Sequence, residues 1–573
     1  MAGIHSRTEP LAAVRSLAEA AANQRGSTFI GSPLRLFDGV RRVDQVETEG
    51  KVSPYALGRT YELMLAPMAR RSKGAHLTPE AVARQLVAMM GAPTATDRIL
   101  DPAVGGAAFL LAAIDQLVQA GAEPSQALGQ VAGIDIDEGA VWVAEAALGI
   151  WSLDAECEVA GVPNISHGDG LLDDLPPAER VVGNPPFLNQ LRSSSSHTPD
   201  RRAALRDRWD GLIGAYTDDA WLFLAAALQT LSPGGSIAMV QPISLLAARH
   251  ADAIRQVVHD QAQMTGLWIG RDRVFDAAVQ VCGVVLTRTS EPTPGRVERR
   301  VGADFEPVQP LTESPAPPDW GRAGATALGV PQVHIAATDR VVGDLAQATA
   351  GFRDQFYGFV PYVSEAASKD VKPGSGMAKL VTVGMIDVLG LSWGQRQFKF
   401  AKRNVERPVV ELDALRQGDP KLGQWADARL RPKLLVATQT RVVEAWVDEQ
   451  GTALPVTPVL SIEPDDDDPN TLWLLAAALS APAVSAQSLA AKFGTAMSLN
   501  AVKLAARDVL AIPLPSNADA WQAGADLIRD RSASISSAEY AQFAELMGRA
   551  YDERDEELAR WWLARAEPAP KAR

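Results

Sequence analysis

Two short motifs in this chain carry recognisable chemistry. Asn184-Pro185-Pro186-Phe187 stands 83 residues after Asp101, the first residue of Asp101-Pro102-Ala103-Val104-Gly105-Gly106. Proline fixes φ and has no N–H, so the Pro185 carbonyl is a bare acceptor held in one direction. The Asn184 side-chain oxygen is a second acceptor. Two acceptors aimed at an exocyclic amine do something specific, because that nitrogen's lone pair is delocalised into its ring. Holding both hydrogens favours a pyramidal nitrogen whose lone pair faces an electrophile. This is positioning and electrostatic preorganisation, with no prior deprotonation. Phe187 would stack on the planar base, as pockets for flipped bases require. The competing reading, a rigid Pro-Pro turn after a buried strand, weakens beside the second motif.

That second motif suits the methyl donor. Ile99-Leu100 reads as a strand end, and Gly105 and Gly106 allow a tight turn and a close approach to a ligand. A helix beginning near Ala108 would aim its N-terminus at that ligand. The next strand ends in Gly133-Ile134-Asp135-Ile136-Asp137. An acid in this position after a glycine loop is where a doubly wound fold bonds ribose hydroxyls. Asp135 is the candidate; Asp137 is the alternative, or else a helix N-cap. Asp169, in His167-Gly168-Asp169-Gly170, would accept a hydrogen bond from an adenine amino group, or is an ordinary turn aspartate.

The elements that must position these residues are legible around them. Residues 55–290 alternate apolar strand-like runs with helical patterns, which predicts an α/β, Rossmann-like domain with a mostly parallel sheet. Strands are expected at Arg98–Leu100, Val131–Ile134, Val181–Gly183, Ser236–Val240, Gly266–Ile269 and Cys282–Thr287. Residues 1–54 read as a helical leader that packs on something else. Residues 291–334 hold eight prolines and read as a linker or wrapping loop. Residues 335–515 read as a mixed α/β domain with short strands, and residues 516–573 as a helical C-terminal segment.

Composition bounds the rest. The chain of 573 residues is 47% hydrophobic and 22% charged, a globular profile. Two cysteines, Cys157 and Cys282, cannot form a disulfide framework or a multi-cysteine metal site, and seven scattered histidines make a metal centre unexpected. No apolar run is long enough to span a bilayer, and the N-terminus lacks a signal-peptide core, so the expected location is cytoplasmic. A net charge of −14 argues against a nucleic-acid partner globally, although local basic patches can override the total.

With both motifs in place, the chain resembles the gamma-class N6-adenine DNA methyltransferases, closely over residues 55–290 and loosely over 335–515. The resemblance extends to Leu57-Gly58-Arg59-Thr60-Tyr61-Glu62 and to Gly74-Ala75-His76-Leu77-Thr78-Pro79-Glu80. In the latter, Thr78 suits an N-cap and Pro79 a first helical position. It implies S-adenosylmethionine as cofactor. By the same correspondence Thr78 contacts its methionine part, Asp101 and Gly105 belong to the donor loop, Asp135 meets the ribose, and Asp169 meets the adenine. Asn184, Pro185 and Phe187 become the catalytic motif, and Phe275 a second residue stacking on the flipped base. One departure stands out: the family loop usually reads Gly-Ser-Gly, whereas here it is Gly105-Gly106-Ala107, and a left-handed third position would strain alanine.

The resemblance also implies double-stranded DNA as partner, held between the catalytic domain and a C-terminal target-recognition domain. Residues 189–208 carry five arginines against two aspartates, with Arg192, Arg201 and Arg202 as candidate phosphate contacts. Arg396, Lys399, Lys402 and Arg403, interleaved with Phe398 and Phe400, form a second patch. Arg431 and Lys433 belong to a third, in a stretch (428–441) without acids. No nuclease motif stands out, so the expectation is modification without cleavage, alone or with other restriction or phage-defence subunits. Two alternatives remain: a methyltransferase for another planar nitrogen, in RNA or a protein glutamine, and a non-catalytic DNA-binding scaffold of a defence complex, which rests on Ala107.

Overall fold

The computed structural model describes residues 2–27, 50–65, 78–157, 164–188, 198–271, 279–289, 291, 295–335, 339–351, 353–530 and 536–566. Arg192 and Phe275 lie outside them. Two compact units result, Met1–Ala327 and Leu328–Arg573.

The first unit is built on nine strands: β1 (Ile99–Asp101), β2 (Val131–Asp135), β3 (Asn164–His167), β4 (Ala178–Gly183), β5 (Leu231–Pro242), β6 (Ala262–Ile269), β7 (Val281–Arg288), β8 (Val297–Val301) and β9 (Glu306–Leu311). They lie in the order 3-2-1-4-5-7-6-8-9. Strands β3, β2, β1, β4 and β5 pair in parallel. Strand β7 runs antiparallel between β5 and β6. All six expected strands are present. The parallel strands β1 and β4 are almost wholly buried, as strands covered on both faces must be.

Helices fill the crossovers. Helix Ala108–Gln119 buries Phe109, Leu110, Leu111, Ile114 and Leu117, and helix Glu138–Asp154 starts from the N-cap carboxylate of Asp137, which accepts from the Gly139 amide. The expected leader contributes helix Ala2–Asn23, whose Leu11, Val14 and Leu17 join the same core as Leu57, Tyr61 and the crossover helices. Tyr61 donates to Asp137 across 3.0 Å, tying helix Pro54–Met64 to the end of β2.

The expected linker at 291–334 folds instead. Strand β8 pairs with β6 in parallel and β9 with β8, and helix Trp320–Ala327 follows. The anchor is apolar: Trp268 of β6 stacks on Phe305 at 4.7 Å, and its indole N–H donates to the Gly302 carbonyl at 2.8 Å. Pro307 and Pro310 sit on β9, the edge strand, where a missing N–H costs no ladder bond.

The second unit holds two four-stranded sheets and two short hairpins. One sheet is antiparallel, joining Ala346–Ala350, Leu460–Pro464, Lys433–Ala437 and Glu444–Asp448. The other joins Val363–Glu365, Pro408–Glu411, Met377–Val381 and Ala453–Pro455. Helices Ala518–Arg529, Ser537–Ala550 and Glu556–Ala566 complete the unit, as the helical pattern of 516–573 predicts. Among the described residues no single helix is long and apolar enough to cross a membrane.

Candidate active site

The two chemical motifs converge because their strands are neighbours. Strand β1 delivers Asp101 and β4 delivers Asn184, and the two pair directly in parallel. Gly183, the last residue of β4, is packed against Asp101: a Cβ there would lie 2.8 Å from the Asp101 Oδ1. The residue before Asn184 must therefore be glycine for the two motifs to come this close.

Asp101 is 2% exposed, and its Oδ1 accepts from the Ala103 amide at 3.0 Å. Burial pushes its carboxyl up to about 8, with the nearby charge of Asp135 adding to the effect. The loop after it is held by Asp135. One Asp135 oxygen accepts from the Gly105 amide at 2.9 Å, the other from the Asp137 amide at 2.8 Å. Asp137 itself is the N-cap of helix Glu138–Asp154.

The third position of the glycine loop is left-handed, the case in which alanine is strained. Ala107, not Gly106, takes the left-handed conformation, at φ 64° and ψ 20°, a strain of roughly 1–2 kcal/mol for alanine. Its methyl is fully buried. Gly106 is needed for a different reason: its backbone touches Gly58 of helix Pro54–Met64. A Cβ on Gly106 would sit 2.4 Å from the Gly58 Cα, and one on Gly58 2.8 Å from the Gly106 Cα.

Thr78 also departs from expectation. Helix Glu80–Met89 begins after Pro79 with no side-chain cap bond. The Thr78 hydroxyl instead accepts from Asn184 Nδ2 at 3.0 Å. That bond fixes the carboxamide plane and turns Oδ1 away from Thr78. The residue expected on the cofactor side thus orients the Asn184 amide.

Asp169 reaches the same edge of the sheet. Gly170 beside it packs on the donor loop, since a Cβ there would lie 2.1 Å from the Pro102 carbonyl oxygen. Asp169 Oδ1 accepts from the Leu171 amide at 3.0 Å. Arg201, expected on DNA, is bound to this carboxylate at 2.6 and 3.2 Å, so its guanidinium is committed within the protein. Arg202 lies on the same helix, Pro199–Arg208, half-buried.

Three residues carry roles that the sequence did not assign. Asp218 accepts from the Leu188 amide at 3.1 Å and caps helix Asp219–Thr230; burial raises its carboxyl to about 7. With the Asp219 amide donating to the Leu188 carbonyl at 2.9 Å, it clamps the chain directly after Phe187. Ile136 follows Asp135 and is 58% exposed, an apolar face at the carboxyl edge. Gly58 is the third. Phe187 itself is partly buried against the core, and Pro185 is buried.

Residues 53–297 match the N-6 DNA Methylase family. The first unit carries a domain that matches this family. Among solved structures, the type IIL restriction-modification enzyme MmeI in complex with DNA is similar over 90% of this chain and 81% of its own, at 13% identity and a TM-score of 0.59. The type IIG restriction endonuclease BpuSI aligns over 98% of this chain and 78% of its own, at 13% identity and a TM-score of 0.44. A protein assigned as a class I S-adenosylmethionine-dependent methyltransferase, from Listeria monocytogenes, aligns over 51% of this chain and 94% of its own, at 14% identity and a TM-score of 0.36. At such identities the likeness to MmeI is one of fold, and the other two are looser still. No curated protein matches the chain by sequence.

The basic patches of the second unit separate into different kinds. Phe398–Phe400 and Arg403–Val405 form a hairpin whose two-residue loop, Ala401-Lys402, has φ 47° and 67°, the pattern of a type I′ turn. Phe400 is buried beneath it while Lys399, Lys402 and Arg403 are exposed. Arg396 is exposed beside it, paired with Asp387 at 3.0 Å and stacked on Phe398 at 5.1 Å. Arg431 pairs with Glu463. Lys433 corrects the expectation: it is 0% exposed and bound to Asp448 at 2.6 Å, beyond reach of any phosphate.

Proposed function

We propose that the protein is a site-specific DNA methyltransferase that modifies the N6 amine of a flipped-out adenine, with S-adenosylmethionine as donor. The observation that carries this reading is the junction of β1 and β4, where Asp101 and Asn184 meet through Gly183 and Thr78 orients the Asn184 amide. The carboxylates of Asp135 and Asp169, the Thr78 hydroxyl and the apolar face of Ile136 form an acceptor-rich edge suited to a ligand with a cationic sulfonium, an ammonium, ribose hydroxyls and an adenine. When bound, S-adenosylmethionine supplies an electrophilic methyl whose transfer leaves a neutral thioether and releases one proton from N6.

The protein's own residues do the rest. Asn184 Oδ1 and the Pro185 carbonyl hold the two N6 hydrogens, which raises the availability of the nitrogen lone pair. Phe187 stacks on the base, and the Asp218 clamp on Leu188 keeps that ring in place. The hairpin with Lys399, Lys402 and Arg403 contacts DNA phosphates, which positions the duplex without reading its sequence. The chain methylates host or incoming DNA, alone or with other restriction or defence subunits. The scaffold alternative rests on Ala107, left-handed at φ 64°, and predicts DNA binding without S-adenosylmethionine binding.

The test is expression in a host lacking adenine methylation, followed by single-molecule sequencing of its DNA. N6-methyladenine in one repeated context is the expected result. Unmodified DNA, together with purified protein that does not bind S-adenosylmethionine, would overturn the reading.

A further inference from the structure

Arg201 follows the Asn184–Phe187 motif, and all three of its guanidinium nitrogens bond within the protein. Nε and Nη2 grip the two oxygens of Asp169 at 2.6 and 3.2 Å. Nη1 reaches Asp219 Oδ2 at 3.4 Å. The Asp219 side chain is 1% exposed, and those of Arg201 and Asp169 are 18% and 13% exposed, so the pairing is shielded from water and salt.

The two acids serve different halves of the site. Asp169 lies in the loop after β3, packed on the donor loop through Gly170. Asp219 opens the helix whose cap, Asp218, clamps Leu188 behind Phe187, and its own amide donates to the Leu188 carbonyl. One guanidinium therefore joins the donor side to the acceptor side. A bidentate fork also does what a point charge cannot: it fixes the plane of the carboxylate. With Leu171 N and Arg201 Nη2 on Oδ1 and Arg201 Nε on Oδ2, one acceptor position stays open on Oδ2, and its direction is set by the fork.

We propose that Arg201 is a positioning residue for cofactor binding: it presents the open lone pair of Asp169 to the adenine amino group of S-adenosylmethionine and couples that contact to the segment behind Phe187. The proposal rests on the methyltransferase reading. It removes Arg201 from the set of DNA contacts.

The test uses the full chain and S-adenosylmethionine itself, with binding measured by calorimetry in the absence of DNA. Arg201→Ala weakens cofactor affinity by about tenfold, the scale of coupling between residues in direct contact. Arg201→Lys, which keeps the charge but loses the fork, weakens it by a similar factor and serves as the readout if the alanine variant does not fold. In an Asp169→Asn background the same substitution changes affinity by less than about twofold. A purely structural role would give the same loss in both backgrounds, and that equality would overturn the proposal. So would unchanged cofactor affinity combined with weaker DNA binding, which would return Arg201 to the phosphates. If the wild type and the Arg201 variants bind S-adenosylmethionine equally well, only this proposal fails. If the wild type does not bind it at all, the methyltransferase reading fails too.

Discussion

Replacing Lys433 by alanine separates two roles that one basic side chain can have. Counting charges along the sequence places Lys433 on DNA. The structure places it at 0% exposure, 2.6 Å from Asp448, which is itself 2% exposed. Breaking a buried pair by removing one partner typically costs about 3–5 kcal/mol, because the other charge stays buried. Asp448 keeps the Thr452 and Ala453 amides at 3.0 and 2.9 Å, which puts the expected cost at the low end, about 3 kcal/mol. For a unit of this size that lowers the melting temperature by roughly 6–12 °C. Lys433→Met, which keeps the apolar stem, also destabilises because Asp448 stays uncompensated. The assays are thermal melting and DNA binding across a salt series. A phosphate contact would instead lower the slope of log affinity against log salt by about 0.9 and leave the melting point alone. That second pattern would refute the assignment.

Four other outcomes follow from the site. Asn184→Ala abolishes methyl transfer while S-adenosylmethionine binding stays within about twofold, since the donor loop is untouched; substantial residual turnover would contradict the two-acceptor mechanism. Gly58→Ala forces a methyl to 2.8 Å from the Gly106 Cα and weakens cofactor binding measured by calorimetry; normal binding would show that the contact is dispensable. The double substitution Lys399→Ala with Lys402→Ala lowers the salt slope of DNA binding by about 1.8 without shifting the melting point, and an unchanged slope would remove the hairpin from the interface. Asp101→Asn tests the buried carboxyl. Its folded value is raised to about 8 from 3.8, so the unfolded chain ionises first and the wild type loses stability as pH rises across that window. The asparagine variant lacks this loss, so its melting temperature relative to wild type climbs between about pH 4 and pH 8; a constant difference would show Asp101 to be ionised in the fold.

Much of the catalytic unit was legible in the chain because its signals are local. Buried parallel strands read as apolar runs, and the two motifs sit at the ends of β1 and β4, which the crossover from β3 to β4 makes neighbours in the sheet. What escaped was pairing across distance. Arg201 and Lys433 looked free because their acids, Asp169 and Asp448, lie 32 and 15 residues away, outside any window over which charge is summed. Lys433 meets Asp448 because antiparallel pairing sets those two residues opposite each other. Thr78 looked like a helix cap, the commonest use of threonine before proline, and nothing local indicates that its hydroxyl faces Asn184 instead. The run at 291–334 looked like a linker because prolines dominate it, whereas the tertiary anchor, Trp268 on Phe305, lies partly outside it.

The contact between Gly58 and Gly106 has a consequence for how this enzyme can change. Most packed pairs can drift together, a larger residue on one side being offset by a smaller one on the other. Here both partners are already as small as a residue can be, and the contact is main chain against main chain. No exchange of volume between them is possible, so the two positions are fixed independently and leave no trace of covariation. Retuning of the donor loop, by drift or by design, has to proceed through its other positions; Ala107, whose strained backbone glycine would relax, is the first place to try.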